Sequence, residues 1–159
     1  MAVDKNEFRR VLARFAAGVT VVTTRGGDDK PYGLTATAFT SVSLVPPLVL
    51  VCIGKDSESY PHFLASKVFA VNFLRHSQEV LSQHFAAKGG DKFAHKRWTT
   101  EATGAPILAD VLGWVDCRII QSHDAGDHTI HVGEVEAAQA HDDAPLLHYA
   151  AKYARIATE

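Results

Sequence analysis

A closed or nearly closed antiparallel β-barrel, mainly β with a few short helices outside it, is the fold the sequence predicts. Three observations predict it. Six or seven runs rich in Val, Ile, Thr and aromatic residues read as strands. No regular alternation of strand and helix appears, which disfavours a doubly wound parallel sheet. The two longest runs, 112–123 and 128–140, are joined by "DAGD", a hairpin signal. Closure suits such a set of strands because it removes exposed edges.

The elements follow in order. "DKNEFRRVLARFAAG" reads as a helix, with Phe8, Val11, Leu12 and Phe15 at i, i+3, i+4 and i+7. Asp4 and Glu7 resemble a capping box, and Gly18 is a stop. "VTVVTTR", the turn "GGDDKP" and "YGLTATAF" make a hairpin. Pro46 and Pro47 separate a short strand from the buried run "LVLVCIG". "DSESYPHFLAS" reads as a short helix with Ser57 as N-cap and Pro61 in or near its first turn. "KVFAVNFL" is a strand, and "SQEVLSQHFA" a helix with Ser77 as cap. "AKGGDKFAHKRWTTEATGAP" has no period and reads as a long loop. After the long hairpin, "PLLHYAAKYARI" is a last strand or extended tail.

Composition narrows the function. The chain has 159 residues, enough for one domain with a real core, 1–159. Formal net charge is −2 and no basic run occurs, so nucleic acid is not an expected partner. The apolar runs are short, so no membrane span is expected. "MAVDKNEF" lacks an apolar signal core, and the two cysteines, Cys52 and Cys117, form no CxxC and sit in apolar runs. Both are expected reduced, in the cytoplasm.

The stretch "SHDAGDHTIHVGEVEAA" holds three histidines within nine residues. Ligands on one strand must share a face, hence an even spacing. His128 and His131 are three apart, and no H-E-x-x-H or Cys/His cluster exists, so no metal is expected. No G-x-S-x-G, G-x-G-x-x-G or P-loop occurs either. Taken alone, His128 reads as a polar residue flanking a turn.

Nearly the whole chain resembles the short-chain flavin reductases. The similarity is carried most specifically by "GLTATAFTSVSLVPPLVLVCI", "FAVNFL" and "GDHTIHVGEVEAA", in that order. The resemblance implies an FMN-binding split β-barrel, antiparallel and Greek-key-like, with short peripheral helices. It implies a homodimer and an NAD(P)H-dependent flavin reductase of the EC 1.5.1 type. Such reductases are components of two-component flavin monooxygenases, to which reduced flavin passes by diffusion.

The resemblance also points to residues. A flavin asks for a phosphate cradle, donors for the polar edge of its ring, and an apolar wall. Thr35, Ala36, Thr37, Ala38, Thr40 and Ser41 stand at the ring positions, followed by Cys52 and Ile53. Small side chains there let backbone N–H groups approach a ring edge that gains negative charge on reduction. By itself, "TATAFTS" reads equally well as a Thr-rich strand. Lys55, Ser57 and Ser59 supply a cation and two hydroxyls for the phosphate; without the resemblance they read equally well as a capped surface helix with one solvated lysine. Phe85 and Lys88, with Lys92 behind them, stand at a second contact to the flavin tail. Gly126, Asp127 and His128 form "GDH", which the family associates with nicotinamide. Gly126 suits positive φ in a tight turn. His128 is assigned to orienting the nicotinamide and supporting the flavin, and His123 and His131 to bystander positions, exposed or at a dimer rim. Tyr153, four residues after Tyr149, fits the core or the nicotinamide side. The family often has "YFRGRY" where this chain has "YAAKY".

The expected function is therefore hydride transfer from NADH to FMN or FAD. NADPH is also compatible, since "KFAHKR" offers cations for a 2′-phosphate. The rival is a split barrel that binds flavin without turnover, which has no use for a histidine in the turn. An oxidase of a pyridoxamine-like substrate calls for a stronger basic cluster than the chain provides.

Overall fold

The computed structural model describes residues 2–157. The helix α1 spans Lys5–Leu12. Asp4 caps it, accepting from the backbone N–H of Asn6 at 2.8 Å and of Glu7 at 3.2 Å. Glu7 does not reach back to close a box; it pairs with Arg10 at 2.7 Å instead. The helix stops at Leu12, before Gly18, and none of its residues is buried. Its apolar stripe faces outward, with Phe8 54% exposed, and Phe15, beyond its end, is 77% exposed.

The strands follow: β1 Ala17–Gly18, β2 Thr20–Arg25, β3 Pro31–Ala36, β4 Phe39–Ser43 and β5 Leu48–Gly54. Then come α2 Tyr60–Ala65, β6 Val68–Phe73, α3 Glu79–Ala86, β7 Trp98–Thr100 and β8 Pro106–Leu108. The chain ends with the long pair β9 Gly113–Ala125 and β10 His128–Ala140, then β11 Leu147–Tyr149 and β12 Lys152–Ala154. Seven strands form one antiparallel sheet in the order β3-β2-β6-β9-β10-β5-β4. Its two edges, β3 and β4, are consecutive in the chain and joined by Thr37 and Ala38 alone. The edges therefore meet at that end and the sheet curls into a barrel. Among the described residues no ladder joins β3 to β4, so the barrel stays split along them.

Alternation along the strands divides two cores. Val49, Val51 and Ile53 of β5 point into the barrel with Val22, Phe69, Val71 and Cys117, and Phe63 packs against them. Val21 and Ala70 point outward and are covered by Phe85 of α3, Phe93, Ile107, Leu108 and Leu146. Leu74, whose N–H bonds the Val19 carbonyl, packs in the same outer core. Asn72 ties the layers together: its amide donates to the Val21 carbonyl at 3.0 Å and accepts from the Leu108 N–H at 2.8 Å.

Four local expectations are corrected. The N-cap of α2 is Ser59, not Ser57, and that of α3 is Gln78, not Ser77. The loop 87–106 contains β7, which pairs with β8, three residues being too few to show a period. The last segment is a hairpin, β11–β12, turned by Ala150 and Ala151 at φ +50° and +61°. That region usually takes Gly or Asn, so two alanines hide the turn from sequence reading.

Candidate active site

A cleft of about 590 Å³ opens beside β3. One wall is the start of that strand, with Lys30, Tyr32 and Gly33. Glu58, Ser59, Gly90, Asp91, Lys92, Phe93 and Trp98 complete the lining. Tyr32 is held by a stack on His62, ring centroids 3.3 Å apart, and donates to Asp28 at 2.6 Å. The size and the mix of aromatic walls with a few convergent polar groups suit a small organic ligand.

The predicted tail residues divide here. Ser59 lines the cleft but is buried, and its hydroxyl donates to the Gly33 carbonyl at 3.0 Å. Ser57 is half-buried and accepts from the Ser59 N–H at 3.2 Å. Lys92, the weakest of the tail expectations, lines the cleft, and its ammonium donates to the Phe85 carbonyl at 2.9 Å. Burial holds the Lys92 ammonium below the usual lysine range, and the charge of Glu58 partly opposes that. Phe85 itself has no exposure; its ring belongs to the outer core and only its carbonyl is turned to Lys92. Lys88 is exposed and outside the lining, and Arg97 is engaged at the surface with Asp110.

Lys55 is placed differently from the expectation. Its ammonium donates to the Gly126 carbonyl at 2.7 Å and pairs with Asp124, and its N–H donates to the Asp127 carbonyl at 2.9 Å. The carboxylate of Asp124 raises the Lys55 ammonium above its ordinary range. Lys55 thus fastens the segment before Ser57 to the "GDH" turn rather than standing free for a phosphate, because the turn offers it two acceptors.

The turn is tight. Only Gly126 and Asp127 separate β9 from β10, and Gly126 has φ +66°. His128 opens β10 opposite Gly54, half-exposed, with Nδ1 2.6 Å from an Asp127 oxygen. That bond holds the Asp127 carboxyl below the usual range. His131 points the other way. It is 1% exposed, its Nδ1 lies 2.8 Å from the Ser122 hydroxyl, and its ring faces Phe63 at 6.4 Å. It is therefore not an exposed bystander. His123 is exposed and touches Gln121 at 3.3 Å.

The predicted ring residues lie farther along β3. The Thr35 hydroxyl donates to the Ser82 carbonyl at 2.5 Å, and the Ser82 hydroxyl lies 2.8 Å from that of Tyr153. Ala36 packs on the barrel core. Thr37 lines a second cleft of about 400 Å³ with Phe15, Phe39, Phe73 and Leu146. Ala38, Thr40 and Ser41 are exposed, and the Ala38 carbonyl accepts the Cys52 N–H at 3.1 Å. Cys52 faces outward, while Ile53 is fully buried in the barrel; period-2 alternation forbids both from meeting one ligand. Tyr149 and Tyr153 sit on different strands of a hairpin, so their spacing of four has no helical meaning. Among the described residues no group of three or more His, Cys, Asp or Glu is placed to hold a metal ion.

Tyr32, Lys30, Glu58 and Trp98 line the main cleft and escaped sequence reading. Glu58 stood between the two serines, and Trp98 in an aperiodic loop; neither carries a pattern. The volume of the cleft, its aromatic side chains Tyr32, Phe93 and Trp98 and its two lysines, Lys30 and Lys92, suit the phosphorylated tail of a flavin.

Comparison with known proteins agrees. Residues 12–157 match the flavin reductase like domain. A flavin reductase (NADH) from Kitasatospora aureofaciens is 44% identical, over 99% of this chain and 84% of its own. The reductase subunit of a flavin-dependent monooxygenase from Mycobacterium tuberculosis is 40% identical, over 99% and 85%. The solved structure of a Streptomyces globisporus NADH:FAD oxidoreductase, in complex with NAD and FAD fragments, superposes with a TM-score of 0.90 at 40% identity, covering 99% of this chain and 97% of that one. A cleft and a histidine turn on a split antiparallel barrel, matched over nearly the full length, leave one conclusion: the chain belongs to the flavin reductase like family.

Proposed function

We propose that the chain oxidises NADH and reduces FMN or FAD, releasing reduced flavin to a separate flavin-dependent monooxygenase. The observation that supports this most is the joining of two sites by Lys55. The cleft at Ser59 and Lys92 lies at one end of the 54–59 segment, and Lys55, at its other end, is bonded to the turn that carries His128. Ser59 and Lys92 would hold the tail of the flavin, and the open edge of β3 toward Thr37 and Ala38 would serve its ring. An edge strand has unpaired N–H and C=O groups, which suit the polar rim of the ring. When bound, flavin supplies the redox chemistry of hydride acceptance. The protein's part is alignment: His128, braced by Asp127, orients the nicotinamide.

The active unit is a homodimer of a single domain, 1–159. The apolar face of α1 and the exposed Val42, Leu44 and Val45 suit a second copy, since exposed apolar surface marks interaction sites. No helix of the described residues is long and apolar enough to cross a membrane. The free cysteines, Cys52 and Cys117, suit the cytoplasm. The deciding experiment follows the loss of NADH and NADPH absorbance with and without added FMN or FAD. Turnover that needs added flavin supports a reductase with exchangeable flavin. Flavin binding with no nicotinamide oxidation in any combination supports a carrier instead.

A further inference from the structure

We propose that Glu58 sets how strongly the cleft discriminates phosphorylated from unphosphorylated flavin, its carboxylate competing with the phosphate for the same surroundings. The inference rests on the flavin reading of the cleft. Glu58 lies between Ser57 and Ser59 and lines the cleft, where its carboxylate accepts the N–H of Gly89 at 2.8 Å. Gly89 and Gly90 have φ +80° and +73°, and a Cβ at either would meet nothing within 4 Å. Their glycines therefore serve the backbone path, which aims the Gly89 N–H at the carboxylate.

The other polar groups of the cleft are already engaged or balanced. The Ser59 hydroxyl is bonded to Gly33 and the Lys92 ammonium to the Phe85 carbonyl. Lys30 and Lys92 bring two positive charges, and Glu58 and Asp91 two negative ones. A phosphate entering this cleft gains little from net charge and faces a carboxylate that holds the N–H it would use. A carboxylate and a phosphate ask for the same donors, and their like charges repel. The consequence is a weakly held tail, which suits a flavin that leaves after each turnover.

Glu58→Gln tests this. It keeps the size and an acceptor for Gly89 and replaces the charge with a neutral amide whose NH2 can also donate, a gain that salt would not reduce. The readout is the Kd of FMN and of riboflavin, the same ring without phosphate, by quenching of flavin fluorescence. FMN is expected to bind about five- to tenfold more tightly. Riboflavin is expected to change by less than about twofold, and the FMN gain should shrink at high salt. Unchanged or weaker FMN binding overturns the proposal, as does an equal gain for riboflavin. If the parent protein binds neither flavin, the flavin reading itself fails and Glu58 loses its role with it; if the parent binds FMN and the variant matches it, the role of Glu58 alone fails.

Discussion

Strand β10 carries His128 and His131 three residues apart, in opposite surroundings. His128 stands on the outer face at the start of the strand, half-exposed, with Asp127 on one nitrogen. His131 points into the barrel, 1% exposed, with Ser122 on Nδ1 and no hydrogen-bond partner for Nε2 among the described residues. The residue type is the same and the chemistry differs. An outward histidine can meet a substrate; an inward one fills space and carries a desolvation cost. An odd spacing on a strand separates the two roles.

The largest effect that sharpens this contrast is on stability. His131→Ala removes a fully buried ring and the partner of Ser122, and should lower unfolding free energy by about 2–4 kcal/mol. His131→Leu fills most of that space and discards the unsatisfied nitrogen, so it should cost clearly less. Denaturant titration of both variants checks this. An Ala variant as stable as the parent would break the contrast.

His128→Ala should do the reverse. Its melting temperature should stay near the parent's, while KM for NADH rises about tenfold, roughly 1.4 kcal/mol of binding. FMN affinity should change by less than about twofold. Collapse of flavin binding with an unchanged KM would refute the nicotinamide role of His128.

The smallest effect is on the pH dependence of stability. Burial holds the His131 imidazole below its ordinary value of 6.5. Its contribution is full above that value, where the folded and unfolded chains both carry it neutral. As pH falls through it, the unfolded chain takes up the proton first and stability drops. The loss is complete once pH passes below the lowered folded value. Melting temperature measured from about pH 7 to about pH 5 should fall more steeply in the parent than in His131→Gln. Parallel curves would show that this imidazole does not titrate in the unfolding equilibrium.

Much of the barrel was legible because strand signals are local. β-branched runs, the proline pair and the "GDH" turn each follow from a few neighbouring residues. The site was legible only in part. Ser59 and Lys92 do line the cleft, but Phe85 and Ile53 are core residues, and Lys55 is bonded to the turn. The first two misplacements have one cause: a sequence names a side chain, while its direction depends on which layer covers the strand or helix; Lys55, between β5 and α2, is drawn instead by the acceptors of a distant turn. The apolar stripe of α1 shows the same limit from the other side. Its periodicity is clear, yet none of it is buried.

By itself the sequence determined the strand-rich class, the long β9–β10 hairpin with glycine at its turn, and the opposite faces of His128 and His131. These depend on backbone geometry over two to four residues. Only the tertiary structure decided which face is inside, that β3 and β4 become the open edges of the barrel, and that Tyr32, Glu58 and Trp98 meet across one cleft. Those residues come from three distant segments, and what brings them together is the burial of two apolar cores, to which the whole chain contributes.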